Sequence, residues 1–126
     1  MMGKCERIAR IDAEQLPPGR EVGPPDAGGM LVIAINVPPE AEAEFNAWYD
    51  EEHIPNLRTV PGMLCARRFK SESGARRYIA VYHLSTPEVQ ASDAWANAIN
   101  TPWRQKMKPL TPDRLRLVLR RYRRRG

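Results

Sequence analysis

Several kinds of sequence signal are missing from this chain of 126 residues. No apolar run approaches the roughly 18 consecutive residues of a membrane span, and the first residues carry charges where a signal peptide would be apolar. The chain also lacks a Gly-rich phosphate loop, a dinucleotide-binding fingerprint and a nucleophile elbow. We therefore expect a cytoplasmic protein that makes no membrane contact and uses no cofactor such as a nucleotide or flavin.

Cysteine and histidine are scarce, with two of each in the whole chain. Cys5 lies near the start and Cys65 in a predicted strand, so they form neither a disulfide framework nor a metal cluster, and we expect reduced thiols. His53 and His83 are not accompanied by a converging set of carboxylates, so we predict no metal site. Because few other side chains titrate near neutral pH, proton chemistry there would involve one of these histidines.

Positive charge is concentrated at one end of the chain. The net charge is +5, but without the seven arginines that follow residue 113, 13 basic residues stand against 15 acidic ones. Arg114, Arg116 and Arg120 alternate with Leu115, Leu117 and Leu119, which predicts a strand with one polar and one apolar face. The remaining arginines include those of a basic tail at 123–126. No RNA-binding or helix-turn-helix signature accompanies them, so we favour a solvated edge over a nucleic-acid site.

The length allows one folded domain with short extensions. Residues 1–29 hold four of the 12 prolines and five of the eight glycines and show no sustained hydrophobic period, although the segment RIARIDAEQL could form a short helix. An apolar run, MLVIAINV, begins at Met30 and predicts a buried strand. We therefore predict an N-terminal arm over 1–29, a domain over 30–122 and the basic tail.

Within the domain, the hydrophobic pattern predicts the element order βαββαβ. A helix begins after Pro38, and regular helix should stop or kink at Pro55. The runs MLCARRFK and ARRYIAVYHL flank a turn at 71–74 and predict a hairpin, and two further helices begin at 85–88 and 101–102. The run RLRLVLRRY is the last strand. This order is typical of the ferredoxin-like α+β fold, an antiparallel four-stranded sheet with helices on one face.

The predicted strands are apolar on both faces. In the first strand, Leu31, Ile33 and Ile35 lie on one face and Val32 and Ala34 on the other. In the second strand of the hairpin, Ile79 and Val81 lie on one face and Tyr78, Ala80 and Tyr82 on the other. Helices on one side would leave the other face exposed to water. We therefore predict a homodimer in which that second face is buried.

The strongest candidate for chemistry is the end of the first helix. Tyr49 and His53 are four residues apart and extend the apolar stripe of Phe45, so they face the sheet if the helix persists. A histidine in this position can exchange protons with a bound substrate. It can equally be a core or capping histidine that fixes the chain reversal before Pro55, and both interpretations stay open.

Four further side chains are candidates for binding a substrate: Trp48, His83, Trp95 and Arg67. Trp48 and Trp95 lie on predicted helices, where they either line an aromatic pocket or form the core. His83 lies on a strand and could approach the helix layer or the dimer seam. Arg67 and Arg68 point to opposite sides of their strand, so at most one of them meets a ligand carboxylate or enolate.

The pattern FxxWYxxxHxP, followed by VPGMLCARRF within the order βαββαβ, resembles the dimeric α+β barrel superfamily, most closely its EthD-like branch. The resemblance covers about residues 30–122. It implies two ferredoxin-like subunits packed sheet to sheet, and a cavity between sheet and helices lined by Tyr49, His53 and, by extension, Trp48 and His83. Superfamily members include cofactor-free monooxygenases, lactone isomerases, polyketide cyclases and haem-degrading enzymes, so the fold leaves the reaction open.

The resemblance implies a cofactor-independent enzyme of isomerase, cyclase or monooxygenase type that acts on a small hydrophobic carbonyl, lactone or phenolic compound. In this interpretation His53 moves a proton and Tyr49 orients the substrate. The alternative is a non-catalytic dimeric module for small-molecule binding or assembly, in which the EHIP turn only locks the helix to the strand. Haem handling ranks lower, because one helix histidine is thin evidence for an axial ligand.

Overall fold

The computed structural model describes residues 27–71, 78–112 and 114–120, together with the backbone of Ala13–Gln15. The rest of the predicted arm, the predicted turn after Ser71 and the basic tail at 123–126 lie outside the described residues.

Five antiparallel strands form one sheet in the spatial order β1-β3-β4-β2-β5. The strands are β1 (Ala13–Gln15), β2 (Gly29–Ile35), β3 (Met63–Ser71), β4 (Tyr78–Leu84) and β5 (Arg114–Arg120). Strands β2 to β5 have the ferredoxin-like arrangement, and β3 and β4 pair as the predicted hairpin. The α+β fold predicted from the sequence is therefore confirmed.

Strand β1 was not predicted from the sequence. It lies within the segment RIARIDAEQL, for which a short helix was considered, and it pairs with β3 so that Ala13 is opposite Ser71 and Gln15 opposite Phe69. A helix of about ten residues is marginal in isolation, whereas the edge of a sheet offers a row of unpaired backbone groups. The edge of β3 therefore decides the conformation of this short segment.

The first helical region changes geometry along its length without ending. It consists of a 3₁₀ turn, helix α1, a π-helical turn and helix α2: Pro39–Ala41, Glu42–Trp48, Tyr49–His53 and Ile54–Leu57. Pro55 therefore lies inside a helix, and regular α geometry is lost just before it. A proline lacks the backbone donor and crowds the carbonyl four residues earlier, here Glu51, and the wider π turn accommodates this defect.

The predicted helix that begins near Pro87 is two elements. A 3₁₀ turn (Pro87–Ala91) is separated from helix α3 (Asp93–Ile99) by Ser92, which is extended and whose Oγ accepts a hydrogen bond from the Trp95 backbone at 3.2 Å. Helix α4 (Pro102–Met107) begins where the sequence predicts, with Thr101 Oγ1 accepting from the Arg104 backbone at 3.1 Å. Both caps satisfy backbone donors of a helix start.

The helices cover one face of the sheet, and an apolar cluster lies on the other. The main core joins strand residues to helix residues, among them Leu31, Ile33, Tyr82 and Leu84 with Phe45, Leu57, Trp95 and Met107. A second, smaller cluster is formed by Ala34, Ile79 and Val81, with Met30, Val32 and Phe69 packed at its side. We refer to the face with this second cluster as the open face. Both strand faces are apolar, as the sequence predicts.

The register of β5 assigns its arginines and leucines to opposite faces. Arg114 is opposite Ile35 and Arg116 opposite Ile33, so these two arginines share the helix side of the sheet. The intervening leucines lie on the open face and are 42–48% exposed: Leu115, Leu117 and Leu119. The arginine side of β5, predicted as a solvated edge, is exposed and borders the helix layer. The leucine side is exposed on the open face.

Candidate active site

A cavity of about 230 Å³ lies between the helices and the half of the sheet formed by β2 and β5. Its apolar floor comes from β2, at Leu31, Ile33 and Ile35. Its wall is aromatic and its outer side is lined by guanidinium groups: Trp48, Tyr49, His53, Tyr82 and Trp95 on the wall; Arg104, Arg114 and Arg116 on the outer side. The cavity therefore offers an apolar base, one imidazole and several positive charges.

His53 packs against two aromatic rings on the cavity wall. It is 9% exposed, and its ring centroid lies 4.4 Å from that of Trp48 and 4.8 Å from that of Tyr49. Tyr49 and His53 are the first and last residues of the π turn. Because a π turn takes more residues than an α turn, residues four apart stay on nearly the same side. The π turn thus brings both side chains to the cavity.

The imidazole of His53 is neutral at physiological pH. Burial first, and then the positive charges of Arg104, Arg68 and Arg114, lower its pKa to about 3. The acids at 50–52 precede His53 in the chain, but burial is the largest influence on its pKa. A neutral imidazole has one nitrogen lone pair available, so this side chain can accept a proton or a hydrogen bond.

Glu52 holds the wall of the cavity in place. Its Oε2 accepts a hydrogen bond from Trp48 Nε1 at 3.2 Å and another from Thr101 Oγ1 at 2.5 Å. Since Thr101 also caps α4, one carboxylate links the π turn to the helix that carries Arg104. The indole is therefore fixed in the position in which it stacks on His53.

Two buried tyrosine hydroxyls lie beside the imidazole. Tyr49 is 2% exposed and Tyr82 is fully buried, and burial raises the pKa of both side chains above the ordinary value of 10. The two phenols interact with each other, but among the described residues Tyr82 Oη makes no hydrogen bond of normal geometry. A buried hydroxyl left in this state costs about 1–3 kcal/mol.

Of the two neighbouring arginines on β3, Arg68 is the one that faces the helices. It is 7% exposed, and its guanidinium carbon lies 4.4 Å from the centre of the Tyr49 ring. Its Nη2 donates to Asn46 Oδ1 at 2.7 Å, and its Nη1 pairs with Asp50 Oδ1 at 3.3 Å. Arg68 does not line the cavity. It supports Tyr49 from behind and is a positioning residue.

Two of the predicted site residues lie on the open face. Arg67 Nε donates to His83 Nε2 at 3.2 Å, and its guanidinium lies 5.3 Å from the centre of the Phe69 ring. Of the two locations considered for His83, the structure selects the side away from the helices. The cavity thus brings together Trp48, Tyr49, His53 and Trp95, whereas Arg67 and His83 cannot meet a ligand held there.

The cavity residues that were not predicted as site residues include one tyrosine and three arginines: Tyr82, Arg104, Arg114 and Arg116. The alternation of arginines and leucines in β5 shows that Arg114 and Arg116 share one face of the strand. Which side of the sheet that face is on depends on the pairing of β5 with Ile33 and Ile35 of β2, and this long-range pairing is not visible in the local pattern. Within the part of the chain that the structure describes, no group of three or more metal-binding side chains occurs, and no helix there is long and apolar enough to cross a bilayer.

Solved structures share this fold at low sequence identity. A proposed monooxygenase from Lactobacillus acidophilus aligns with a TM-score of 0.58 and 14% identity over 86% of this chain and 50% of that chain. SnoaB, a cofactor-independent oxygenase from Streptomyces nogalater, aligns with a TM-score of 0.57 and 15% identity over 78% of this chain and 96% of that chain. MhuD, a heme-degrader from Mycobacterium tuberculosis, aligns with a TM-score of 0.52 and 23% identity over 78% of this chain and 99% of that chain.

The identities are 14–23%, so these likenesses show the shared ferredoxin-like α+β fold alone, and the dimeric α+β barrel superfamily stays a prediction from the sequence. This chain spans only half the length of the Lactobacillus protein. No protein-family model matches the sequence, and no curated protein does. The assignment to the EthD-like branch therefore stays a prediction from the sequence motif.

Proposed function

We propose that this protein is a cofactor-independent enzyme that acts on a small hydrophobic carbonyl, lactone or phenolic compound, with His53 as the proton-transfer group. The observation that carries the proposal is the neutral imidazole on the aromatic wall of the cavity. The cavity volume of about 230 Å³ is below the roughly 300–1,000 Å³ typical of sites for drug-sized ligands. The substrate is therefore a small molecule.

The central step is removal of a proton from substrate carbon or oxygen by His53, which leaves an enolate or phenolate. The guanidinium groups of Arg104 and Arg114 stabilise the negative charge as it develops. The same anion offsets the positive field that lowers the pKa of His53, so the imidazole becomes more basic when substrate is present. An isomerase returns the proton to another atom, whereas an oxygenase lets O₂ react with the anion.

Tyr49 orients the substrate in this proposal. Burial raises the pKa of its hydroxyl, so it stays protonated and can donate a hydrogen bond to a substrate oxygen. Arg68 stacks behind the ring and restricts its movement. SnoaB, described as a cofactor-independent oxygenase, has the same fold over nearly its whole length, which supports a reaction without a cofactor.

Haem handling is a second candidate, and the structural likeness to the heme-degrader MhuD favours it. The cavity argues against it, because haem is at least as large as a drug-sized ligand and the cavity volume is below the range typical of such ligands. Titration of the protein with haem should therefore give no Soret band of a ligated complex. A saturable band that is lost in His53→Ala would instead favour haem binding.

We also propose that two copies pair through their open faces, and that the chain belongs to the EthD-like branch. The exposed leucines of β5 support the pairing, since monomers rarely expose a contiguous apolar surface of this kind. The sequence motif from Phe45 to Phe69 supports the branch. A cytoplasmic location is part of the same proposal.

The test of the catalytic role is a panel of small carbonyl, lactone and phenolic compounds, incubated in aerated D₂O without any cofactor. Deuterium uptake is followed by NMR and oxygen incorporation by mass spectrometry. A general base contributes about 10²–10⁴-fold to rate, so His53→Ala should lose at least 100-fold while His83→Ala, on the open face, keeps its turnover. Full turnover in His53→Ala would overturn the assignment. The non-catalytic module predicts no reaction and only a loss of thermal stability in that variant.

A further inference from the structure

Three guanidinium groups border the cavity on its outer side. Arg114 and Arg116 are two residues apart on one face of β5, about 7 Å along the strand, and Arg104 comes from α4. Arg116 donates a hydrogen bond to Gln90 Oε1, a neutral group. In residues 27–71, 78–112 and 114–120, neither Arg104 nor Arg114 has an acidic hydrogen-bond or ion-pair partner.

Two other described arginines are paired with carboxylates. Arg68 pairs with Asp50 at 3.3 Å, and Arg120, on the same strand as Arg114, pairs with Glu88. The arginines at the cavity also repel each other, since burial and the charge of Arg114 lower the pKa of Arg104. Converging, unpaired positive charges do not stabilise a fold, and at a cavity they attract an anion.

A second, independent observation is the hydroxyl of Tyr82. Its side chain is fully buried, lines the same cavity and interacts with the Tyr49 hydroxyl, but among the described residues it makes no hydrogen bond of normal geometry. None of the described residues that line the cavity is an aspartate or glutamate. The cavity therefore has hydroxyl and guanidinium donors on its wall and no protein carboxylate to receive them.

We propose that the substrate is a small organic acid whose carboxylate is bound by Arg104 and Arg114, with its hydrophobic body on the floor of the cavity beside His53. A planar guanidinium can donate two parallel hydrogen bonds to a carboxylate, which adds orientation to charge attraction. Ile33, Ile35 and Trp95 provide the apolar contacts for the rest of the molecule. This inference rests on the proposed function and narrows its substrate class.

Benzoate and benzamide test the inference, because they have nearly the same shape and differ in charge. Binding is measured at fixed ionic strength from the NMR shifts of the cavity residues. We expect benzoate to bind at least tenfold more tightly than benzamide, and Arg114→Gln to abolish that difference. Arg120→Gln is the matched control, since it removes one charge from the same strand without touching the cavity, and it should keep the difference.

The outcomes separate the two proposals. Equal affinity for benzoate and benzamide would overturn the carboxylate assignment and leave the proposed function standing. An equal loss of benzoate binding in Arg114→Gln and Arg120→Gln would also overturn it, because net charge alone would then explain the binding. If the folded wild-type protein binds neither compound in the cavity, the proposed function fails together with this inference.

Discussion

The ring of His53 lies 4.4 Å from the indole of Trp48 at an interplanar angle of 31°, so the imidazole is stacked on a fixed aromatic surface. The indole is fixed because its Nε1 donates to Glu52, which also accepts from Thr101 at the start of α4. The position of the proposed proton-transfer group therefore depends on a carboxylate outside the cavity wall.

Replacement of Glu52 by alanine tests this dependence. Glu52→Ala leaves the Trp48 and Thr101 donors without their acceptor, so we expect a loss of about 1–3 kcal/mol in the free energy of unfolding, measured by urea denaturation. Its neighbour Glu51 is exposed, and Glu51→Ala should change stability by less than about 0.5 kcal/mol. Equal stabilities for the two variants would show that the Glu52 hydrogen bonds do not hold the indole.

The low pKa of His53 predicts a dependence of stability on pH. The pKa is about 3 in the folded protein against 6.5 for an ordinary histidine, so the unfolded chain binds a proton that the folded chain does not. The contribution of His53 to the free energy of unfolding is therefore complete above pH 6.5 and is lost as the pH falls toward 3. Between these two pH values the free energy of unfolding falls by about 1.4 kcal/mol per pH unit because of this group.

The measurement is the free energy of unfolding from urea titrations between pH 4 and pH 7, compared with His53→Gln. The variant has no imidazole to titrate, so it should lack that part of the slope, while other groups contribute equally to both proteins. His83→Gln is the comparison: burial and the charge of Arg67 also lower the pKa of His83, by less than for His53, so this variant should lose a smaller part of the slope. Parallel curves for the wild type and His53→Gln would contradict a neutral, buried imidazole.

The fold followed from local sequence patterns, and so did part of the site. Alternating and helical periods gave the order βαββαβ, and the four-residue spacing of Tyr49 and His53 brought them to one wall. The faces of Arg67 and Arg114 depend on strand register, which long-range pairing and the bulge between Met63 and Cys65 determine. Local patterns do not carry that information, and this is why the cavity arginines were missed.

Arg67 and Arg68 form a matched pair for testing the support of Tyr49. Lysine keeps the charge but lacks the planar fork that stacks on an aromatic ring and binds two acceptors. Arg68→Lys should lose the contacts with Asn46 and the Tyr49 ring, cost about 1–2 kcal/mol, and alter the near-UV circular dichroism of the aromatic cluster. Arg67→Lys, on the open face, should leave that spectrum unchanged.

A spectral change of the same size in both variants would mean that the signal reports general loosening, and the positioning role of Arg68 would be rejected. The Arg67→Lys and Arg68→Lys variants also distinguish a role in substrate binding from a role in positioning Tyr49. Neither side chain lines the cavity, so any effect of Arg68→Lys on turnover should come as a lower kcat with little change in KM.

The leucine face of β5 predicts a dimer that a single charge can disrupt. Leu117 is 45% exposed on the open face and Val118 is 40% exposed on the helix side of the same strand. We expect light scattering to give twice the chain mass of 14.4 kDa for the wild type. Leu117→Lys buries a charge in the proposed interface and should give the monomer, because unpaired buried charge is strongly unfavourable. Val118→Lys introduces the same charge next to it and should remain dimeric. A monomeric wild type at micromolar concentration, or dissociation by both lysines alike, would reject pairing through the open face.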